Sequence, residues 1–374
     1  MMMKMGHIRQ RSPSANPTRW PTASSQKTMA QTSGARKRYR AIFVPESSWV
    51  AARTIAAWLE TGNEIAEIWC FDPASMLLAR SGAFPDRFFP GWDTASLIRH
   101  HGIPVRLCPR LKQWPEAVAC VGETGADTLL TVMTHEIVPP SLLALFGNRA
   151  INVHPALLPH YKGPSPRAAM LFDGVADKFG GVTAHILTPG IDEGAIIGQR
   201  HVPFGPAGGY ARWDALQAQA AASIVRRDLM EFLDGAREAV PQEPGSGSYR
   251  RCRNDEFAIS SVLEVDEVKR LCRLFGPAGR LVWKPDRIGA ATRTYFISGF
   301  EKILGRPTSM PPSVTAWHID LDVADARLRL RRRRQLGRWR SSLDAVSAIL
   351  HASRATDVRN ERYERRQRLD AATH

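Results

Sequence analysis

Short, nearly unbroken apolar runs alternate with helical stretches along residues 39–205. The first run, YRAIFV, ends at Val44 and predicts a strand. SSWVAARTIAAWLETGNE follows as a helix that Ser47 or Ser48 can cap and that closes near Gly62 and Asn63. IAEIWCF, IPVRLCP, ADTLLTVM and NRAINVHP predict four further strands, and WDTASLIRHHG, WPEAVACVGETG and PPSLLALFG predict helices between most of them. The alternation predicts an α/β fold with a mostly parallel sheet and helices on both faces. In such sheets ligands sit at the carboxyl ends of the strands. Asn152 and His154 fall there, at the end of the fifth.

Beyond that strand, KFGGVTAHILTPGIDEGAIIGQRHVPF reads as two strands around the loop TPGIDEG, and RWDALQAQAAASIVRRDLMEFLDGA as a long helix. VPQEPGSGSYRR is dominated by Pro, Gly and Ser and reads as a linker. The expected organisation is a disordered basic segment over 1–38, the α/β domain over 39–238, a linker over 239–250, a smaller mainly β C-terminal domain over 251–335 and a basic tail over 336–374. The small domain carries one helix, EVDEVKRLCRLFG, and the β-type stretches RTYFISGF, TAWHIDL and ARLRLR.

The chain has 374 residues, of which 44% are hydrophobic, enough for two domains with a real core. Cys70, Cys108, Cys120, Cys252 and Cys272 form no CxxC pair and no zinc-like cluster, so we expect buried structural thiols in a reducing, cytoplasmic setting and no metal. No apolar run approaches the roughly 18 residues of a membrane span. The net charge of +15 is uneven: residues 1–40 carry nine basic residues and no acid, 41–250 carry 17 basic and 21 acidic, and 251–374 carry 25 basic and 15 acidic. A basic end binds nucleic acid or an anionic ligand, or is simply a solvated tail. The acid-free N-terminal segment fits a transit peptide except for Pro13, Pro17 and Pro21; a start assigned too early, given Met5 and Met29, fits equally.

Three polar groups stand out as candidate chemistry. Asn152 and His154 are two apart on a strand end and so project to one side. Asp192 lies in a loop flanked by glycines, where the backbone can approach a ligand. An amide donates to a developing oxyanion, an imidazole moves a proton near neutral pH, and a carboxylate orients the imidazole, which together suit acyl transfer. Read from the residues alone, the same Asn-x-His also serves as a structural strand end and the Asp as a turn former.

The wording around these residues extends the reading. INVHPALLPHYKGPSP, followed by GGVTAHILTPGIDEGAII, resembles the formyltransferases that use 10-formyltetrahydrofolate, whose acceptors include methionyl-tRNA, glycinamide ribonucleotide and nucleotide-linked amino sugars. The matching positions are Asn152 and His154, then Leu157, Leu158, Pro159, Lys162 and Gly163, then Asp192 and Gly194. The resemblance spans about residues 127–205 and is looser over 39–126. It implies a Rossmann-like fold and an enzyme of one-carbon metabolism that moves a formyl group to an amine, with no metal. Asn152 and His154 would hold the oxyanion, and Asp192 would assist proton transfer. It also implies a pteridine pocket between residues 132–140 and 188–192, with Met133, Thr134, His135, Glu136, Ile137, Val138, Gly190 and Ile191 as donor-binding residues, much of the contact being backbone. His135 and Glu136 are read as surface loop residues and His185 as structural.

The chain departs from the methionyl-tRNA enzymes in two places. VPESSW stands where they carry a Gly-Thr-Pro turn, and DPASMLLARSGAFPDRFFPGW has Arg80 and Arg87 but no basic cluster. The acidic body also lacks the field expected of a tRNA-binding face. The first expectation is therefore a small-molecule amine acceptor of the nucleotide-linked amino-sugar type. The alternative is methionyl-tRNA, followed by hydrolysis of formyltetrahydrofolate or RNA binding without catalysis. FPDRFFPGW is read as packing rather than stacking on a ligand.

Overall fold

The computed structural model describes residues 37–72, 93–205, 209–277, 279–285 and 294–333. The expectations for residues 1–36, for FPDRFFPGW and for the tail beyond 333 lie outside these residues.

Five parallel strands build the main sheet: β1 (Arg40–Pro45), β2 (Glu64–Cys70), β3 (Val105–Leu107), β4 (Thr128–Val132) and β5 (Ala150–His154). β6 (Gly181–Ile186) and β7 (Ile196–His201) add antiparallel pairs, giving the order β3-β2-β1-β4-β5-β6-β7. β1, β4 and β5 are buried along nearly their whole length because helices cover both faces. On one face lie α1 (Trp49–Glu60) and α7 (Tyr210–Ile224), packed around Trp58 and Trp213. On the other lie α3 (Ala117–Thr124) and α4 (Pro140–Phe146), packed with Trp69 and Trp114. The Ser48 hydroxyl caps α1 by accepting from Ala51 N at 3.1 Å, as expected of a helix-opening serine. α2 (Thr94–His101) is capped by Asp93 in the same way.

Two stretches differ from the sequence reading. GPSPRAAMLFDG, to which the sequence reading assigns no element, contains α5 (Pro166–Phe172), and the short α6 (Ala176–Phe179) follows. Pro166 stands in the first turn of α5, where a missing N–H has no helical partner to lose. The long helix continues past α7 through one π-helical turn, Val225–Leu229, into Met230–Leu233.

The second sheet has the order β11-β12-β13-β10-β9-β8. Its strands are β8 (Ala258–Ile259), β9 (Val282–Trp283), β10 (Tyr295–Gly305), β11 (Ser313–Val314), β12 (His318–Asp322) and β13 (Arg327–Arg332). The helix Val265–Phe275 packs on it. The mainly β C-terminal region is thus as expected. It shares a continuous apolar core with the main sheet: Phe172 of α5 meets Phe275 at 4.5 Å and Phe257 at 5.1 Å between ring centres. The joining segment does not run free. Val240 exchanges two 2.8 Å backbone bonds with Ile196, and Ser248 O accepts from Lys162 N at 2.8 Å.

Candidate active site

The strand order reverses between β1 and β4, since β1, β2 and β3 run outward and β4 returns to the other side of β1. Such a reversal opens a crevice at the carboxyl ends of the strands. A cavity of about 680 Å³ lies there. Glu46 follows β1, Met133 follows β4, and Asn152 and His154 end β5, and all four line it.

Asp192 enters from the β6–β7 loop in the left-handed conformation, φ +55°, which an Asp tolerates better than most residues. Its carboxylate lies against both strand-end residues. Asn152 Nδ2 donates to Oδ1 at 3.3 Å, and His154 Nδ1 stands 3.4 Å from Oδ2. Gly163 N donates to Oδ2 at 2.8 Å. Gly163 has φ +92°, and a Cβ there would run into the Tyr249 ring, so this donor approaches only as glycine.

The ring orientations follow from carbonyl partners, because a carbonyl oxygen only accepts. His154 Nε2 lies 2.9 Å from Tyr161 O and therefore carries the hydrogen, leaving Nδ1 as a lone pair facing Asp192. His185 Nδ1 lies 2.9 Å from Ile186 O, so its Nε2 accepts from Asn152 Nδ2 at 3.1 Å. Thr131 Oγ1 donates to Asn152 Oδ1 at 2.8 Å, which turns the amide nitrogen toward the Asp192 side. His185, read from the sequence as structural, is thus a fourth member of the cluster. It arrives because β6 pairs antiparallel with β5 and sets His185 opposite Asn152.

Burial holds the His154 imidazole below its ordinary value, against the upward pull of Asp192. Burial pushes the Asp192 carboxyl up, but the pull of His154 and His185 in their protonated forms, with the Gly163 N–H, outweighs it and sets the carboxyl well below the usual carboxylate range. The resting pair is a neutral imidazole beside a carboxylate. A proton arriving on Nδ1 creates an ion pair in a dry site.

Met133, Thr134, His135, Glu136, Ile137 and Val138 line one wall of the cavity, and Gly190 and Ile191 line another. Glu136 faces away in part, accepting from Leu111 N at 3.2 Å and pairing with Arg110. His135 is half exposed and pairs with Glu46 at 3.2 Å. Gly163 reaches the cavity, but Leu158, Pro159 and Lys162 do not line it. Leu158 and Lys162 are buried, and Leu158 precedes Pro159 through a cis peptide. Their part in the motif is to shape the loop that delivers Tyr161 O and Gly163 N.

The sequence reading missed four further contributors. Arg167, Arg251 and Arg280 also line the cavity, the last two from beyond the α/β domain. Gln242, from the joining segment, donates to Asp192 O at 2.9 Å and Gly194 O at 2.7 Å. Among the described residues no group of three or more His, Cys, Asp or Glu could hold a metal, and no helix is long and apolar enough to cross a membrane.

The pattern described as Formyl transferase matches residues 92–210. A methionyl-tRNA formyltransferase of Synechococcus sp. (strain JA-3-3Ab) is 31% identical over 185 residues, 49% of this chain and 57% of that protein. One from Acidithiobacillus ferrooxidans (strain ATCC 53993 / BNL-5-31) is 28% identical over 200 residues, 50% of this chain and 63% of the relative. The chain thus spans less than two thirds of the length of these relatives. In fold, it superposes on a variant of HypX from Aquifex aeolicus with a TM-score of 0.54 and 14% identity, over 80% of this chain and 45% of that one. Residues 92–210 thus carry the formyl transferase pattern, and about half of the chain is similar to methionyl-tRNA formyltransferases.

Proposed function

We propose that the protein transfers a formyl group from 10-formyltetrahydrofolate to a primary amine. The observation that carries the reading is the Asn152–His154–Asp192 cluster at the floor of a cavity of ligand size. Between residues 133–138 and 187–192 the walls offer main-chain groups and the apolar side chains of Ile137, Val138, Leu187 and Ile191, which suits a flat heterocycle. Asn152 Nδ2 exchanges its long 3.3 Å bond to Asp192 for the carbonyl oxygen on which charge develops. As the new C–N bond forms, the attacking nitrogen loses a proton to His154 Nδ1, directly or through one water. The ionised Asp192 then stabilises the imidazolium. The same proton returns to the departing donor nitrogen as its C–N bond breaks.

The acceptor we favour is a small-molecule amine of the nucleotide-linked amino-sugar type. The joining segment and the C-terminal region close part of the cavity wall with Tyr249, Arg251 and Arg280, and the cavity of about 680 Å³ is of small-ligand size, which favours a compact acceptor. Methionyl-tRNA is the second reading, supported by what the sequence relatives are named. Incubating the protein with 10-formyltetrahydrofolate and a panel of amines, with tetrahydrofolate release as readout, tests both. No release with any amine, and none with water, would sink the proposal.

A further inference from the structure

Arg251 and Arg280 line the cavity, and among the described residues neither has a carboxylate within ion-pair distance. Arg280 gives one bond, 3.3 Å to Ser165 Oγ, and rests on the Phe257 ring at 4.5 Å. That stacking fixes the plane of the guanidinium and leaves most of its donors unengaged. Arg280 draws both the Glu46 carboxyl and the Cys252 thiol downward, against a larger upward push from burial. Its charge therefore reaches across the mouth on one side and to the residue next to Arg251 on the other. Arg167, which also lines the cavity, is neutralised by Asp214 and lies 5.3 Å from the Tyr210 ring centre. Among the described carboxylates that line the cavity, Glu46 and Asp192 have no arginine partner, and Glu46 pairs with His135.

We propose that Arg251 and Arg280 form a subsite for an anionic group, a phosphate or carboxylate, carried by the amine acceptor. Two unneutralised guanidiniums at a concave mouth favour such a group, and their fork geometry suits its paired oxygens. The inference rests on the formyl-transfer reading for the word acceptor, but the anion site stands on its own geometry. The donor also carries carboxylates, on its glutamyl tail. A second depression of about 250 Å³ adjoins the 133–138 wall, where Lys112 and His135 stand beside Arg110, itself paired with Glu136. Lys112 there offers the glutamyl tail a cation beside the donor wall, which leaves Arg251 and Arg280 for the acceptor.

The test titrates the full chain with inorganic pyrophosphate and, separately, with 5-formyltetrahydrofolate bearing one or three glutamates, by calorimetry. The comparison is the R251A/R280A double variant, whose two exposed positions leave the core intact. Pyrophosphate should bind the natural chain and lose roughly tenfold or more in the variant, since each charge-assisted bond is worth about 1.5–3 kcal/mol. Folate binding should persist in the variant with either tail. Equal pyrophosphate binding by both proteins, or none by either, overturns the subsite. A loss of folate affinity that grows with glutamate number assigns the arginines to the donor and overturns it as well. Pyrophosphate binding without any folate binding keeps the anion site and removes the formyl-transfer reading.

Discussion

Gln242 donates both hydrogens of its side-chain amide to the main chain of the Asp192 loop, 2.9 Å to Asp192 O and 2.7 Å to Gly194 O. The segment that joins the two sheets therefore holds the carboxylate that faces His154. Gln242→Ala should lower kcat by up to about thirtyfold, as two hydrogen bonds of about 1 kcal/mol each are lost. Gln242→Glu should be worse, because it sets a carboxylate against two carbonyl oxygens. Steady-state kinetics beside a thermal melt separates positioning from folding: kcat should fall more than the donor KM rises. A Gln242→Ala kcat within twofold of the natural chain removes this role.

Asn152→Ala should reduce the rate by about 10²–10³, the cost of one oxyanion donor. Single-turnover release of tetrahydrofolate is the measurement. Thr131 Oγ1 and His185 Nε2 fix the Asn152 amide at 2.8 and 3.1 Å, so His185→Ala should give a smaller loss in the same direction. If His185→Ala is as severe as Asn152→Ala, His185 is itself handling the reacting atoms.

The pH dependence follows from His154. It acts as a base only when neutral, and burial holds its pKa below the ordinary 6.5. The acid limb of kcat should therefore fall below pH 6.5, not above it. Asp192, held low, stays ionised throughout that limb. Stability has the same sign: below pH 6.5 the unfolded chain takes up a proton that folded His154 refuses, so stability declines as pH falls. An acid limb centred above pH 6.5 contradicts this assignment.

The parallel strands and the Asn-x-His at the end of β5 were legible because buried strands read as unbroken apolar runs and a period of two sets side-chain direction. His185 was not, because its place beside Asn152 depends on the antiparallel register of β6 on β5, a long-range pairing no local pattern encodes. The joining segment has the composition of a loop and is one. Its contacts with Ile196, Lys162 and Asp192 are long-range hydrogen bonds that composition does not encode. Arg167 was hidden in a stretch to which no element was assigned, and Arg251 and Arg280 in what read as a separate domain.

That packing gives a stability prediction. Phe275 is fully buried against Phe172 and Phe257, so one ring cluster links α5 to the second sheet. Phe275→Ala should cost about 3–5 kcal/mol. Denaturant unfolding followed by tryptophan fluorescence should show one transition shifted to lower midpoint. Two separated transitions, only one of them shifted, would mean that the two regions unfold independently.

The acceptor is tested by what the basic strand has left to offer. Arg327 and Arg329 of β13 are committed to Asp322 and Asp320, at 3.0 and 2.7 Å. Arg332 donates to Thr315 O at 3.0 Å and stacks on Tyr295. Arg333 donates to Pro277 O at 2.8 Å. Much of the charge that marks this strand as a phosphate binder is thus already spoken for inside the sheet. A tRNA acceptor would have to draw further phosphate contacts from residues 334–374, and six to ten such contacts lose about 10³–10⁵ in affinity between 50 and 200 mM salt. A small acceptor held at Arg251 and Arg280 loses far less. Because β13 ends at Arg332, a deletion of residues 334–374 removes no residue of that strand. We predict that this deletion leaves transfer to a small anionic amine largely unchanged at both salt concentrations, and that initiator methionyl-tRNA is formylated poorly by either protein. Efficient formylation of that tRNA by the full chain, abolished by the deletion and by raised salt, reverses the order of the two acceptors.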